Sequence, residues 1–445
     1  MSEMSETVPN LGLELWGGVE CSCVRVGDAY VDQLTQNGHR NRLEDLDAFA
    51  AIGIKKLRMP LLWEHIWPDA NQPPDWGWAD AAMARLQALG IEPIVGLLHH
   101  GSGPLDTHLL DPTLPDRLAA FAYQVAKRYP WVRYYTPVNE PLTTARFSGL
   151  YGLWYPHHKA DGSFVRALLT QVQAVRAAMS AVRSVNPFAA LVQTDDLGYT
   201  QSTPRLAYQA SFENERRWLS YDLLCGHVRP GHALYKYLRR YGASAQELAA
   251  LAVRPCKPAI LGINHYITSE RYLDAHLERY PAQTHGGNGV HRYADVETCR
   301  SPVPRLGPAV LLRQAWERYH IPIAVTEAHL GCTRDEQMRW LFQMWTTCQT
   351  LRRQGVDIRG CTAWALLGSF DWDSLLTQAR GHYERGVFDL TPEGIQPTEV
   401  SALLADLAAG QDVAPTLRQP GWWDVLQTEA LRRKRQQQTI EAIAA

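Results

Sequence analysis

The 445-residue sequence lacks several features that would assign it to a specialised class of protein. It has 44 Lys and Arg against 46 Asp and Glu, a net charge of −2, so no basic excess favours nucleic acid or anionic lipid as a partner. No apolar run approaches the roughly 18 residues that span a bilayer. The N-terminal segment MSEMSETVPN is polar and acidic, which is not typical of a secretory signal. We therefore expect no membrane and no nucleic-acid partner.

Cysteine usage also excludes the common small-domain scaffolds. The chain has eight cysteines, and the closest pair, Cys21 and Cys23, is separated by one residue, with no CxxC motif. This spacing suits neither a zinc ribbon nor a disulfide framework, and no HExxH motif is present. We expect reduced thiols in a cytoplasmic protein, with no metal and no cofactor.

The residues that are present describe an ordinary globular chain rich in tryptophan. Hydrophobic residues make up 46% and charged residues 20%, which excludes a disordered or fibrous protein. The 15 tryptophans are many for this length, and their flat indole rings suit either a large core or the faces of sugar rings.

Eight short apolar runs alternate with segments of helical periodicity. A parallel strand buried on both faces reads as a continuous apolar run, and most of these runs end in polar or aromatic residues. Alternation of strand and helix eight times predicts an α/β fold, a single (β/α)8 TIM barrel. The runs are 13–20, 55–63, 92–100, 133–141, 189–198, 259–268, 321–329 and 360–372.

The helical segments and the loops complete the predicted architecture. Amphipathic spacing predicts helices at 42–52, 114–128, 165–184 and 336–354, and a further helix at 213–225. The long segment 269–304 is expected to be an irregular loop over the barrel mouth. We place the barrel domain at 13–409, with an N-terminal tail at 1–12. Residues 410–445 are expected to form an extension that packs on or near the barrel and ends in a helical tail.

Two glutamates follow apolar strands on opposite sides of the predicted barrel. Glu140 lies in TPVNEP at the end of the fourth run, and Glu327 lies in VTEA at the end of the seventh. Because parallel strands of a barrel end at one face, both side chains should reach the same cavity. Paired carboxylates of this kind are what glycoside hydrolysis requires. The alternative for either residue alone is a buried ion pair with an arginine such as Arg58.

These two motifs resemble those of family 1 of the glycoside hydrolases, the β-glucosidase family of retaining (β/α)8 enzymes. TPVNEP resembles the family's T-F/L-N-E-P, whose Glu is the acid/base, and VTEAH resembles I/V-T-E-N-G, whose Glu is the nucleophile. The resemblance extends from about Leu15 to about Pro397 and implies that Glu140 is the acid/base and Glu327 the nucleophile.

Further matches occur in the family's order along the chain, and they imply roles for other residues. Arg58 would lie beside the nucleophile and Tyr266 would hydrogen-bond it, while Asn139 would bind the sugar 2-hydroxyl. His99 would contact the sugar, and Trp364 with Trp372 would form its floor. The motifs are KLRMPLLW at 56–63, LLHH at 97–100, LGINHY at 261–266 with Asn264, WALLGSFDW at 364–372, and ERGVFD at 384–389.

Three positions depart from the family pattern where it reads the sugar hydroxyls. The family's Gln after the first strand aligns with Val24, its hydroxyl-reading Glu aligns with the shorter Asp371, and its Trp after the strand-three His is His100. The family's polar side chains at these positions hydrogen-bond sugar hydroxyls. Their loss changes which sugar epimer would leave a buried polar group of the protein without a partner. We therefore expect retained chemistry on an altered sugar, with Glu20 as a substitute hydrogen-bond acceptor.

The resemblance predicts a retaining β-glycosidase that acts on a small β-glycoside or oligosaccharide, with β-glucosidase the first expectation and β-galactosidase the second. Two alternatives stay open: a catalytically quiet sugar-binding barrel, because three readers have changed, and a transglycosylase. The oligomeric state, including a homo-oligomer, is also left open by the sequence.

Overall fold

The computed structural model describes residues 12–424, and its centre is a closed barrel of eight parallel strands. The strands follow one another around the barrel in chain order, and the last pairs with the first. This is the (β/α)8 architecture that the sequence predicted. The strands are β1 Glu14–Gly18, β2 Lys56–Pro60, β3 Glu92–His99, β4 Tyr134–Asn139, β5 Ala190–Asp196, β6 Ile260–Asn264, β7 Ile323–Ala328 and β8 Ile358–Ala363.

Helices connect successive strands and cover the outside of the barrel. They are α1 Gln33–Asn37, α2 Asp45–Ala51, α3 Trp63–Ile66, α4 Gly77–Leu89, α5 Leu114–Arg128, α6 Pro141–Ala145, α7 Asp161–Val185, α8 Ala207–Arg216, α9 Leu219–Cys225, α10 Tyr235–Arg240, α11 Ala245–Val253, α12 Pro308–Tyr319, α13 Arg334–Arg353 and α14 Glu399–Ala409. A π-helix at Arg146–Leu150 continues α6.

Helix α5 illustrates why these segments are helical. Leu118, Phe121, Ala122 and Val125 recur at the spacing of one helix face, and all four are fully buried. Pro115 stands in the first turn, where its missing N–H costs nothing. The observed bounds of α5 match the predicted ones, whereas the single helix predicted at 213–225 belongs to two helices, α8 and α9.

The lower part of the barrel interior is filled by side chains. Trp16 of β1 packs there with Ile94, Val192, Ile260 and Ala324 from four other strands. A Cβ atom at Gly360 of β8 would lie 2.3 Å from the Trp16 ring, so only glycine leaves room for this indole. The interior is therefore closed below, and any ligand must enter from the carboxyl ends of the strands.

The segment 269–304 is not the irregular loop that the sequence predicted. It contains the strands Arg271–Asp274, His285–Gly287 and Arg292–Glu297, which join Thr200–Ser202 in a small four-stranded sheet. The sequence could not show this because the edge partner comes from a stretch about 70 residues away. The sheet forms one side of the barrel mouth.

The described part of the C-terminal extension contacts the barrel. The Trp423 ring lies edge-on to the Trp340 ring of α13, with ring centroids 5.7 Å apart, and Trp423 Nε1 donates to Gln343 Oε1 at 2.8 Å. The predicted N-terminal tail up to residue 11 and the helical tail at 425–445 lie outside the described residues, so the domain boundaries stay predictions. Between residues 12 and 424, no helix combines the length and apolarity needed to cross a membrane.

Candidate active site

A cavity of about 810 Å³ opens at the carboxyl ends of the strands, and both glutamates line it. Glu327 lies near the end of β7, and Glu140 directly follows β4. Both side chains are almost fully buried, with 3% and 4% of their surface exposed. Other residues named from the sequence also line the cavity: Glu20, Tyr266, Trp364 and Trp372.

The Glu327 carboxylate is held by one cation and one hydroxyl. Arg58 Nη1 donates to Glu327 Oε1, and the Tyr266 hydroxyl donates to Oε2. Burial raises the pKa of Glu327 above its ordinary value, and the Arg58 charge and both hydrogen bonds limit that rise. Because burial also raises the pKa of Tyr266 well above its ordinary value, that hydroxyl keeps its proton and remains a donor. These contacts favour the ionised form of Glu327.

Glu140 has the opposite environment. Within residues 12–424, no Lys or Arg forms an ion pair with it, and the nearest basic nitrogen is His100 Nε2 at 3.7 Å from Oε2. Burial raises the pKa of Glu140 well above its ordinary value, and the charge of Glu327 raises it further. Glu140 also has a left-handed backbone, with φ of 46°, a conformation that costs about 1 kcal/mol or more and is common at functional positions. The two carboxyls are thus driven toward different protonation states.

Asn264 hydrogen-bonds the Glu140 carboxyl from the strand next to that of Glu327. It pairs with Glu327 across β6 and β7, and its Nδ2 donates to Glu140 Oε1 at 2.6 Å. Its oxygen is occupied, because it accepts a 2.7 Å hydrogen bond from Thr326 Oγ1. This fixes the orientation of the amide, so that Asn264 presents a donor to Glu140.

A second polar layer lies beneath the cavity around Asn139. Its Oδ1 accepts hydrogen bonds from Arg58 Nη2 at 2.6 Å and Thr194 Oγ1 at 2.7 Å. Since Arg58 can only donate, Asn139 Nδ2 must be the donor to His99 Nε2, 3.1 Å away. Burial lowers the pKa of His99 well below its ordinary value, in keeping with a neutral ring that accepts this bond.

His99 and Arg58 both pack on Trp364. The His99 and Trp364 rings are nearly parallel, with centroids 5.6 Å apart, and the Arg58 guanidinium carbon lies 4.6 Å from the centre of the Trp364 ring. The structure thus places Arg58, His99, Asn139 and Asn264 behind the cavity wall, where they contact the residues that line it.

This architecture agrees with comparisons against known proteins. The model of the family described as "Glycosyl hydrolase family 1" matches residues 25–383. The chain belongs to glycosyl hydrolase family 1. Two curated relatives, the "6-phospho-beta-glucosidase" of Dickeya chrysanthemi and the "Aryl-phospho-beta-D-glucosidase BglA" of Bacillus subtilis (strain 168), are each 23% identical. The alignments cover 76% and 74% of this chain, and 77% and 76% of the relatives.

Solved family 1 structures share the fold. The "Family 1 b-glucosidase from Thermotoga maritima" superposes with a TM-score of 0.71 at 14% identity, covering 91% of this chain and 99% of that one. The same organism's β-glucosidase in complex with deoxynojirimycin gives a TM-score of 0.70 at 15% identity, covering 90% of this chain and 98% of that one.

Asp371, another site residue predicted from the sequence, does not line the cavity either. It is fully buried, and its carboxylate accepts the backbone N–H groups of Arg380, Gly381 and His382 at 2.8–3.1 Å. These bonds organise the loop after the strand Ser369–Phe370. The carboxylate therefore already has three donors within the protein, and its expected reading of sugar hydroxyls stays a prediction.

Val24 and His100, the other two residues that depart from the family pattern, have different surroundings. Val24 is fully buried in an apolar cluster with Trp154 and Leu376, against which Trp372 packs, so no polar group replaces the family's Gln there. His100 lines the cavity, with its Nδ1 2.9 Å from Thr144 Oγ1 and its Nε2 3.5 Å from Asn139 Nδ2. Burial and the Arg58 charge lower its pKa to about 3, which leaves the ring neutral.

Glu20 is the remaining residue that the sequence predicted to hydrogen-bond the sugar hydroxyls. It is 3% exposed, lines the cavity, and has one oxygen, Oε1, bonded to the backbone N of Ser22 at 2.9 Å and to its Oγ at 2.5 Å. Burial raises its pKa. The position suits a contact with a ligand, which stays a prediction.

Sequence reasoning missed some residues of the wall. His329 lines the cavity, and its Nε2 lies 3.4 Å from Glu384 Oε2. It stands two residues after Glu327, so strand periodicity could have found it. Arg146 also lines the cavity, but it lies in the π-helix that follows α6, and no motif in the sequence indicates it.

Proposed function

We propose that this family 1 chain hydrolyses a small β-glycoside or oligosaccharide with net retention, with Glu327 as nucleophile and Glu140 as acid/base. The observation that supports this most directly is the asymmetry of the pair. Only Glu327 contacts a cation, Arg58, while Glu140 is buried and receives a single side-chain hydrogen bond, from Asn264. A nucleophile must be ionised and an acid must carry a proton at the same pH, and this asymmetry favours that combination.

In the first step, a Glu327 oxygen attacks the anomeric carbon while Glu140 gives its proton to the glycosidic oxygen, and the aglycone leaves as an alcohol. A covalent glycosyl ester forms on Glu327. The negative charge of Glu327 is then gone, and because that charge raises the pKa of Glu140, the pKa falls. Glu140 can now take a proton from water, whose oxygen attacks the anomeric carbon and releases Glu327.

The polar layer behind the cavity supports this cycle. Arg58 contacts both Glu327 and Asn139. Its planar guanidinium therefore orients the carboxylate of Glu327 and the side-chain amide of Asn139 together. We propose that Trp364 and Trp372 form the floor under the sugar, and that Glu20 and His99 take part in binding it. No step requires a metal or an organic cofactor.

The decisive experiment replaces Glu327. Glu327→Ala should abolish hydrolysis of an activated aryl β-glycoside, and azide should restore turnover and give the α-glycosyl azide, because the small anion enters from the side that the carboxylate left. Glu384→Ala, which removes another carboxylate of the cavity wall, should not become dependent on azide. Full activity of Glu327→Ala would exclude this residue as the nucleophile.

Retention is tested by proton NMR of the early product. The β-anomer should appear first and then mutarotate, and an initial α-anomer would contradict double displacement. If no aryl glycoside in a broad screen is cleaved while monosaccharides bind, the catalytically quiet barrel is the correct alternative. The third possibility, a transglycosylase, is tested by adding an excess of an alcohol acceptor. A transglycosylase would then give mainly the alkyl glycoside.

The names of the curated relatives raise a second candidate, a glycosidase for 6-phosphorylated sugars. The acidic excess of the cavity wall favours an uncharged sugar instead. Among the described residues, nine acidic side chains and five arginines line the cavity. We expect aryl β-glucoside to be cleaved with a higher kcat/KM than its 6-phosphate. A reversed preference would assign the chain to the phosphorylated substrates.

We also propose a cytoplasmic location, which the eight free cysteines support. The compartment and the oligomeric state remain predictions.

A further inference from the structure

A group of metal-ligating side chains lies outside the catalytic cavity. Cys23 Sγ, an Asp32 carboxylate oxygen and a His65 ring nitrogen all lie within 4.8 Å of one another. Cys23 and Asp32 face each other across a hairpin, where they are paired residues of the strands Cys23–Val26 and Ala29–Asp32. His65 comes from α3. Three segments of the chain thus converge on one point.

Hydrogen bonds hold the Asp32 carboxylate in place beside His65 and Cys23. His65 Nε2 lies 2.9 Å from Asp32 Oδ2. Asp32 Oδ1 accepts from the backbone N of Leu34, and Oδ2 also accepts from Thr35 Oγ1. Asp32 is therefore held in place by the start of α1. Cys23 is a free thiol with 2% of its surface exposed.

A fourth oxygen-bearing group lies beside this cluster. Glu64, the neighbour of His65, is 7% exposed, and its Oε2 is buried with no hydrogen-bond partner. Its Oε1 accepts from the backbone N of Gly103 at 3.0 Å. A Cβ atom at Gly101 would lie 2.1 Å from Glu64 Oε1 and 3.2 Å from the Cys23 carbonyl oxygen. Glu64 and Cys23 are therefore neighbours across this glycine.

The oxygen atoms of the group have few partners within the described residues, which suits a bound cation. Among residues 12–424, the only basic group in ion-pair contact with Asp32 is His65, and Glu64 has none. A buried oxygen without a hydrogen-bond partner is costly, and a divalent cation would provide that partner. A thiol, an imidazole and a carboxylate are the ligand set that Zn²⁺ takes in proteins, whereas Mg²⁺ and Ca²⁺ prefer oxygen ligands alone.

We propose that Cys23, Asp32 and His65 bind one Zn²⁺ ion, with Glu64 or water as the fourth ligand. Ligand atoms of tetrahedral zinc lie about 3.3–3.6 Å apart, so atoms of this group that are now up to 4.8 Å apart would move closer, and His65 Nε2 and Asp32 Oδ2, now 2.9 Å apart, would separate slightly. On binding, the Cys23 thiol loses its proton to solvent and coordinates as thiolate. The ion would tie the hairpin to α3. Because Glu20 precedes Cys23 by three residues, the ion would also stabilise the wall of the catalytic cavity from behind.

The test is zinc binding by the whole chain after dialysis against a chelator. We expect one equivalent of Zn²⁺ in titration calorimetry, a rise in Tm with added Zn²⁺, and a thiolate-to-metal charge-transfer band with Co²⁺. Cys23→Ser and His65→Gln should each weaken Zn²⁺ binding at least about 10-fold, since even residues that only orient ligands contribute on that scale.

Two matched controls address adventitious sites. Cys332 is the exposed thiol and lies 2.7 Å from Glu336 Oε2, and His276 lies 3.3 Å from Glu278 on the surface. Cys332→Ser and His276→Gln should bind Zn²⁺ like the parent protein. Absence of binding, loss of binding in Cys332→Ser, or unchanged binding in His65→Gln would overturn the proposal. If Cys23→Ser does not fold, the Co²⁺ band of the unaltered protein still shows whether a thiolate binds the metal.

Discussion

Asn264 Nδ2 donates a 2.6 Å hydrogen bond to Glu140 Oε1 from the strand position that pairs with Glu327. The hydrogen bond favours the ionised carboxylate and lowers the pKa of Glu140, against burial and the charge of Glu327, which raise it. One amide therefore counteracts the two effects that keep the proposed acid protonated. This matters most in the second half of the cycle, when Glu140 must act as a base.

Removal of this amide should be visible in the pH dependence. In the parent protein, activity should fall at low pH as Glu327 is protonated and at high pH as Glu140 loses its proton. Asn264→Ala removes a bond that lowers the pKa of Glu140, so the alkaline limb of kcat/KM should move to higher pH by about one unit, the size of a hydrogen bond to a charged group. Asn288→Ala, in the turn between the strands His285–Gly287 and Arg292–Glu297 of the small four-stranded sheet, is the control. An alkaline limb that does not move would contradict the role of Asn264.

Tyr266→Phe should affect the acidic limb of the pH profile of kcat/KM. The hydroxyl lowers the pKa of Glu327, so its loss should move the acidic limb to higher pH and reduce kcat/KM about 10- to 100-fold. Tyr135 is the matched control, because its hydroxyl is buried without a hydrogen-bond partner in the described structure. Tyr135→Phe should leave both limbs in place. Equal effects of the two variants would indicate a general packing defect.

Glu140→Gln should raise stability at neutral and alkaline pH. A buried carboxyl with a raised pKa stabilises the fold at low pH, where both states are protonated, and this contribution is lost as pH rises through the pKa of the folded state. The loss amounts to about 1.4 kcal/mol for each unit of difference between the folded and unfolded pKa. Thermal unfolding across pH should show that the Tm advantage of Glu140→Gln grows with pH. A constant difference would contradict the raised pKa.

Asp371 distinguishes loop organisation from sugar recognition. Its three backbone hydrogen bonds predict that Asp371→Ala lowers Tm, and that the ratio of kcat/KM for aryl β-glucoside to aryl β-galactoside stays within about 3-fold. Glu20→Gln is the comparison, because Glu20 lines the cavity and should change that ratio. If Asp371→Ala changed the ratio of the two kcat/KM values strongly and left Tm unchanged, Asp371 would bind sugar hydroxyls as the sequence predicted.

The sequence by itself determined the barrel and the positions of Glu140 and Glu327. Apolar runs and helical periodicity are local properties, and the end of a parallel strand is fixed once the strand is, so Glu140 and Glu327 could be placed at one mouth from the sequence alone. The family resemblance added the expected roles of these two residues and supplied the other expected site residues, such as Arg58 and Tyr266.

Only the tertiary structure decided which polar groups are free to meet a ligand. Whether Asp371 faces a sugar or three backbone N–H groups depends on a loop eleven residues long that folds back on it. The small sheet built from 271–297 and the meeting of Cys23, Asp32 and His65 likewise depend on contacts between distant segments. Such contacts are set by packing and by the pairing of hydrogen-bonding groups in three dimensions, and the order of residues along the chain carries no local signal of them.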